Sequence, residues 1–493
     1  MPETDKANSR TDFDAIVVGS GPNGLAAAIT LQQTGKSVLL VEGKGQIGGG
    51  LRTAQLTLPG FHHDICSAIH PMAAGSPFFQ TLPLENFGLK YVHPEIPCAH
   101  PFDDGSAAVL LRSAEETAQT LGEDGDAYLR IIRPLITDWP LLAPDVLGPL
   151  HVPKHPLRLA RFGLDALFPA DLLAKSFRTE KARGLWAGMA AHAIQPLGNL
   201  ATSAVGLVLL TQAHLGGWPA TLGGSQNLAD ALAGYFISLG GQIQTGFLVE
   251  SLAQLPSAKT VLFDITPRQL LRIAGHRFSP LYKKQLERYR YGMGVFKIDW
   301  ALDEAAPFTA EECRKAGTVH LGGTLREISD GEKASASGEY PEKPFVLYAQ
   351  QSVFDPTRAP EGKQVAWAYC HVPHGSKNDM TETIERQVER FAPGFRERIL
   401  ARATMNTEQL EAYNSNYIGG DINGGVLDIA QLFTRPALRW SPYRTSAKGL
   451  YICSSSTPPG GGVHGMCGFY AAKKALRDVF GETITLDKTQ NKP

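Results

Sequence analysis

Phe13-Asp14-Ala15-Ile16-Val17-Val18-Gly19-Ser20-Gly21-Pro22-Asn23-Gly24 opens the stretch that decides the fold, which runs on to Thr53. The apolar run 15–18 reads as a strand and the glycines as a GxGxxG turn. Ala/Leu-rich sequence up to Gly35 reads as a helix, and Val38 to Val41, ending on Glu42, as a second strand. That order is the βαβ unit of a dinucleotide-binding site. Gly19 allows the tight turn, Gly21 lets backbone approach a pyrophosphate, and Gly24 lets helix pack on strand. The free N–H groups at the helix start, where Ser20, Pro22 and Asn23 lie, favour phosphate charge. Glu42 stands eighteen residues past Gly24, near the ~20 expected of an acid that accepts a ribose hydroxyl.

A second glycine cluster, Gly48-Gly49-Gly50-Leu51-Arg52-Thr53, begins four residues past Gly43-Lys44. A flavin bound in extended form needs more backbone lying close to it than the first unit supplies, whereas a nicotinamide has no use for this cluster. FAD is therefore the expected cofactor.

Outward from that unit the chain is long enough for a large core, with 493 residues of which 43% are hydrophobic. Lys+Arg number 47 and Asp+Glu 48, for a net charge of −1, so bulk charge gives no support for nucleic-acid binding. Six scattered cysteines without a CxxC point to free thiols in a reducing compartment. A cytoplasmic location is expected, because the polar start resembles a frayed tail rather than a targeting segment and no run is long enough to span a bilayer.

His62, His63, Asp64, Cys66 and His70 are close in sequence, as are Cys370, His371 and His374. Neither group has ordinary zinc spacing, so no metal is expected. The first group is expected to line a cleft near the flavin and the second to pack in a core or loop. Residues 111 to about 215 read as mostly helical. Within them, His151 to Arg178 mixes Leu/Phe with Lys154, Arg158, Arg161, Lys175 and Arg178. Such a face lies on a membrane surface or, as the preferred reading, is a solvated helix face.

Further on, Gly223-Gly224-Ser225 leads into a helix through Leu239, followed by strand-like runs at Gln242 to Leu252 and Thr260 to Phe263, the latter ending at Asp264. Runs at Tyr291 to Asp299, Phe345 to Gln351 and Val365 to His371 suggest an antiparallel sheet. Ser329 to Pro344 reads as a surface loop and Met380 to Leu400 as an amphipathic helix. Near the end, Gly449 to Cys453 is a strand, and Gly460-Gly461-Gly462-Val463-His464-Gly465 opens a helix through Ala471, Ala472 and Leu476. Too few residues follow for a second βαβ unit. A glycine-rich helix start is nevertheless a good cradle for a flavin's ribityl chain or ring oxygens.

These separated segments resemble the carotenoid (phytoene) desaturase-like branch of the flavin amine oxidase superfamily. The matching residues are Val17 to Gly24, Glu42 with Gly48 to Thr53, Leu222-Gly223-Gly224 with the following helix, Gly241 to Val249, and Leu450 to Gly468. Two departures, Cys453-Ser454-Ser455-Ser456 after the last strand and Gly-Gly-Leu-Arg in the second cluster, bear on carotenoids as substrate more than on FAD. The resemblance implies an α/β fold, in which a discontinuous Rossmann-like FAD domain (12–75, 220–290, 425–485) carries an inserted α+β substrate domain (76–219, 291–424). It further implies cofactor contacts at Val249 and Ser454, and a flavin ring beside Gly462, Val463, His464, Gly465 and Met466. His464 is the one catalytic candidate, donating to the flavin or accepting a proton, with a purely positioning role as the alternative. The expected reaction is desaturation of a hydrophobic, lipid- or isoprenoid-like small molecule by hydride transfer to flavin. Three alternatives stand beside it: double-bond saturation or isomerisation, amine oxidation with Trp440 and Tyr443 available, and a flavin-bearing interaction protein. Oligomeric state is left open.

Overall fold

The computed structural model describes residues 11–486. A five-stranded sheet runs in the order Leu450–Ile452, Ala258–Phe263, Phe13–Val18, Val38–Val41, Gln242–Gln244, and every pairing is parallel. Both faces of such a sheet are covered, so its strands are continuous apolar runs. Ala15, Ile16 and Val17 are fully buried. Helix Pro22–Gln32 packs against helices Gln226–Ser238 and Met466–Ala475. The approach is close: a Cβ on Gly468 would lie 1.9 Å from the Asn23 carbonyl oxygen. This is the Rossmann-like α/β architecture read from the glycine spacing.

A seven-stranded sheet lies in the order Ile399–Met405, Gly294–Leu302, Gln364–Val372, Val346–Ala349, Ala316–Leu321, Ile96–Pro101, Ala107–Leu110. It is antiparallel except where Ala316–Leu321 pairs with Ile96–Pro101. Helices Gly125–Val146, Pro156–Ala166, Glu180–Ala191 and Thr202–Gly216 share a core with one of its faces.

Three local readings change. Residues 325–336 form a helix, Leu325–Ala336, where charge and Ser/Gly content suggested a loop; a reciprocal capping box between Thr324 and Glu327 nucleates it. The expected strand 242–252 stops at Gln244, because Gly246 turns at φ +69°. The chain there folds over Glu42–Lys44, with Gly246 N donating to Lys44 O and Phe247 N to Glu42 O, both at 2.8 Å. The expected helix 380–400 ends at Phe391, and Ile399–Met405 becomes an edge strand.

Candidate functional site

A cavity of about 1080 Å³ runs from the parallel sheet to the helical layer. Its wall draws together Gly19, Ser20, Gly21, Pro22 and Asn23 from the first turn, then Glu42, Gly43, Lys44, Gly49, Gly50 and Arg52. Val249 joins them, as do Gly462, Val463 and His464 from the C-terminal loop. Five sequence candidates lie behind that wall. Gly24 and Leu51 are buried under it, Ser454 is buried with its hydroxyl accepting from Ser456 N at 3.3 Å, and Gly465 and Met466 start the last helix.

The glycines are demanded by contact. A Cβ on Gly24 would lie 1.9 Å from the Gly19 carbonyl oxygen, and one on Gly21 2.7 Å from Asp264 Oδ2. Backbone alone fits there, which is the cradle a diphosphate needs. Glu42 is held by four donors: Ser20 N (3.0 Å), Ser20 Oγ (2.6 Å), Lys44 N (2.9 Å) and Arg52 Nη2 (3.3 Å). These fill a carboxylate's acceptor sites, so any further donor would have to replace one of them. Arg52 also stacks over Tyr413 at 5.4 Å, and the Tyr413 hydroxyl donates to Gly49 O at 3.0 Å.

The C-terminal loop is tight. Val463 sits at φ +59°, a region β-branched residues avoid. The Met466 N–H donates to His464 Nδ1 at 3.1 Å, and Ser76 Oγ donates to His464 O at 2.6 Å. The ring also bonds the Gly460–Gly461 backbone, and burial pushes its pKa down to about 4. His464 is thus a neutral imidazole with its hydrogen bonds turned into its own loop.

Sequence reasoning missed four groups here. Asp264, at the end of the Ala258–Phe263 strand, accepts from Gly24 N at 2.9 Å and lines the cavity. Burial, with Glu42 repelling it, raises its carboxyl to about 7. Tyr413 and Tyr417 close over the second glycine cluster from the 411–417 segment; a Cβ on Gly50 would meet the Tyr417 hydroxyl at 2.5 Å. Lys297 is buried and paired with Asp299 two residues on; burial raises the thiol of cavity-lining Cys66 above its ordinary value, and the Lys297 charge opposes that shift only in part. A charged pair inside an otherwise apolar strand was the available signal for it.

Of the first histidine group, Cys66 reaches the cavity, whereas the others support it from behind. Asp64 pairs with fully buried Arg358 at 2.6 Å and accepts from Ser225 N and Thr53 Oγ1. His63 lies 3.6 Å from Asp299, and His70 bonds Ser225 Oγ at 2.9 Å. His371 bonds Glu332 at 2.7 Å and His374 the Gly292 carbonyl at 2.8 Å. Trp440 is fully exposed while Tyr443 is buried and stacked on Tyr470, so these two form no amine cage.

The fold and the glycine cradle define a Rossmann-like dinucleotide-binding scaffold, and comparison with known proteins finds the same fold. Residues 17–82 match the family model described as an NAD(P)-binding Rossmann-like domain. The mouse pyridine nucleotide-disulfide oxidoreductase domain-containing protein 2 is 26% identical, over 96% of this chain and 95% of its own length. A neurosporene-forming phytoene desaturase of Rhodobacter capsulatus is 26% identical, over 50% of this chain and 51% of its own. The structure of a putrescine oxidase variant superposes with a TM-score of 0.61 at 16% identity, over 95% of this chain and 99% of that one. These likenesses show a Rossmann-like nucleotide-binding domain and a shared overall fold, and they support the resemblance to the flavin amine oxidase superfamily read from the motifs.

Proposed function

We propose that the chain is an FAD-dependent oxidoreductase that desaturates a C–C bond of a hydrophobic, lipid- or isoprenoid-like substrate. The observation that carries this reading is one cavity joining the glycine cradle to an apolar helical wall. Segments 12–75, 220–290 and 425–485 would hold the cofactor, and 76–219 with 291–424 the substrate. Gly19 to Asn23 would receive the diphosphate, Glu42 the ribose and Val249 the adenine side, with Gly49, Gly50 and the 462–466 loop beside the ring. The Ser20 hydroxyl, free to rotate, is the donor on Glu42 best able to yield to a ribose.

Bound FAD would supply the two-electron acceptor for a substrate hydride; a proton also leaves, the C=C bond forms, and a quinone or oxygen takes the electrons onward. His464, its nitrogens engaged within the loop, would position that loop rather than carry the proton. The helical wall excludes water and orients the carbon. Saturation or isomerisation of a double bond remains the alternative. Anaerobic mixing with candidate lipids separates them: a desaturase's flavin absorbance bleaches, and an isomerase's shows no lasting change. No flavin in the purified protein, and none taken up, would sink the reading.

Peripheral membrane contact belongs to the same proposal. Leu150, Leu167, Phe433 and Trp440 both line the cavity and stand exposed, so the mouth is apolar, with Arg158 and Lys154 nearby in sequence. Among the described residues, no helix is long and apolar enough to cross a membrane. Co-sedimentation with anionic vesicles, lost in Trp440→Asp, is the expected outcome.

A further inference from the structure

Most of the cavity's substrate end is hydrocarbon: Phe162, Ala204, Val208 and Leu209 face it from two helices. His192 interrupts that wall. It caps the C-terminus of helix Glu180–Ala191, and its Nε2 lies 3.0 Å from Nε2 of His320. The Nδ1 of His320 meets the Cys98 thiol at 3.5 Å. Trp218, also lining the cavity, packs edge-on to His192 with ring centroids 5.7 Å apart.

The backbone makes room for these rings. A Cβ on Gly188 would lie 2.6 Å from His320 Nδ1, and one on Gly184 2.9 Å from His100 Nε2. Two glycines one turn apart weaken a helix, yet here they admit two imidazoles. Two residues past His192, cavity-lining Ile194 is held at φ +53°, a conformation β-branched residues avoid. His192 itself is only partly buried, and its Nδ1 has no hydrogen-bond partner among the described residues and is not sealed from the cavity.

We propose that His192, backed by His320 and Cys98, binds the neutral oxygen of an otherwise hydrocarbon substrate, a hydroxyl or a carbonyl. This rests on the hydrophobic-substrate reading and narrows it. When the Cys98 thiol donates to His320, the His320 Nε2–H donates to His192, and His192 Nδ1–H faces the cavity as a donor to a carbonyl. With every proton reversed, Nδ1 accepts from a hydroxyl. Burial keeps both rings neutral, His192 down to about 3 and His320 well below its ordinary value. Neutral rings offer a carboxylate no opposite charge, so an uncharged oxygen suits them better than an acid.

The test titrates the FAD-loaded full chain with dodecane, 1-dodecanol, dodecanal and dodecanoate, following tryptophan fluorescence. Flavin content is measured separately from its absorbance. His192→Leu should weaken dodecanol and dodecanal by roughly three- to tenfold, the worth of one hydrogen bond, and dodecane by less than about twofold. His192→Gln, which keeps a donor and an acceptor, should restore most of the difference and serves if the leucine variant does not fold. Equal weakening of all four ligands, or dodecanoate as the ligand most affected, overturns the assignment. Binding of none of them overturns the hydrophobic-substrate reading together with it. A flavin-free protein that still discriminates dodecanol through His192 sinks the cofactor reading alone.

Discussion

At one end of the cavity, Glu42 holds four donors within hydrogen-bond reach and three glycines sit where any side chain would strike backbone or carboxylate. At the other end, Phe162, Val208 and Leu209 offer hydrocarbon, with His192 as the polar exception. The first end recognises by fixed backbone geometry, which tolerates no added atom. On the proposed reading the second would recognise by volume and one hydrogen bond, so shape-conserving changes there should cost little. A scaffold built this way can keep its coenzyme while its substrate changes.

Gly24→Val tests the contrast most severely. The first added carbon would overlap the Gly19 carbonyl at 1.9 Å, so the turn cannot form; the expected outcome is protein without flavin absorbance. A flavin-retaining Gly24→Val would break the comparison at its stronger side. Arg358→Leu tests the seam where segment 12–75 meets segment 291–424, Arg358 pairing with Asp64 across 294 residues. It takes the cation from Asp64 and Asp355, both fully buried, and removing one partner of a buried pair costs about 3–5 kcal/mol. Chemical denaturation should show a loss of that size, and a loss below about 1 kcal/mol, the scale of an exposed pair, would deny the seam its structural role.

The same contrast explains what sequence reading reached. The strand, glycine turn, helix and second strand lie within residues 13–41 and depend on near neighbours, so spacing alone located them. Glu42 announced itself by its distance from Gly24. Asp264 did not, because it meets Gly24 across 240 residues and nothing in its own surroundings marks the encounter. The His192–His320 pair, 128 residues apart, was hidden for the same reason. Tyr413 and Tyr417 stand in a stretch assigned wholly to the substrate side, yet they close over the second glycine cluster. The helix Leu325–Ala336 was a different kind of miss: Thr324 and Glu327 carry a local capping signal that composition overrode.

Asp264 offers the subtlest way to sharpen the comparison, since it places a titrating group inside the rigid end. Its carboxyl accepts from Gly24 N, Glu42 repels it, and Cys453 and Cys467 lie close enough to feel its charge. With its pKa raised to about 7, the folded chain binds a proton there that the unfolded chain releases near pH 4. Its contribution to stability is therefore complete at low pH and is lost as pH rises through about 7. Because Asp264 borders the cradle of Gly19 and Gly21, a diphosphate placed there would also prefer it protonated. FAD affinity should then fall by about tenfold between pH 6 and pH 8, as one linked proton requires. Asp264→Asn keeps an acceptor for Gly24 N but carries no charge, so its affinity should stay level across that range. The cofactor-free variant should melt above the wild type at pH 8 and close to it at pH 5. Parallel pH curves for the two proteins would mean that Asp264 is ionised throughout or lies clear of the diphosphate, and that the cradle is as insensitive to protons as its glycines are intolerant of side chains.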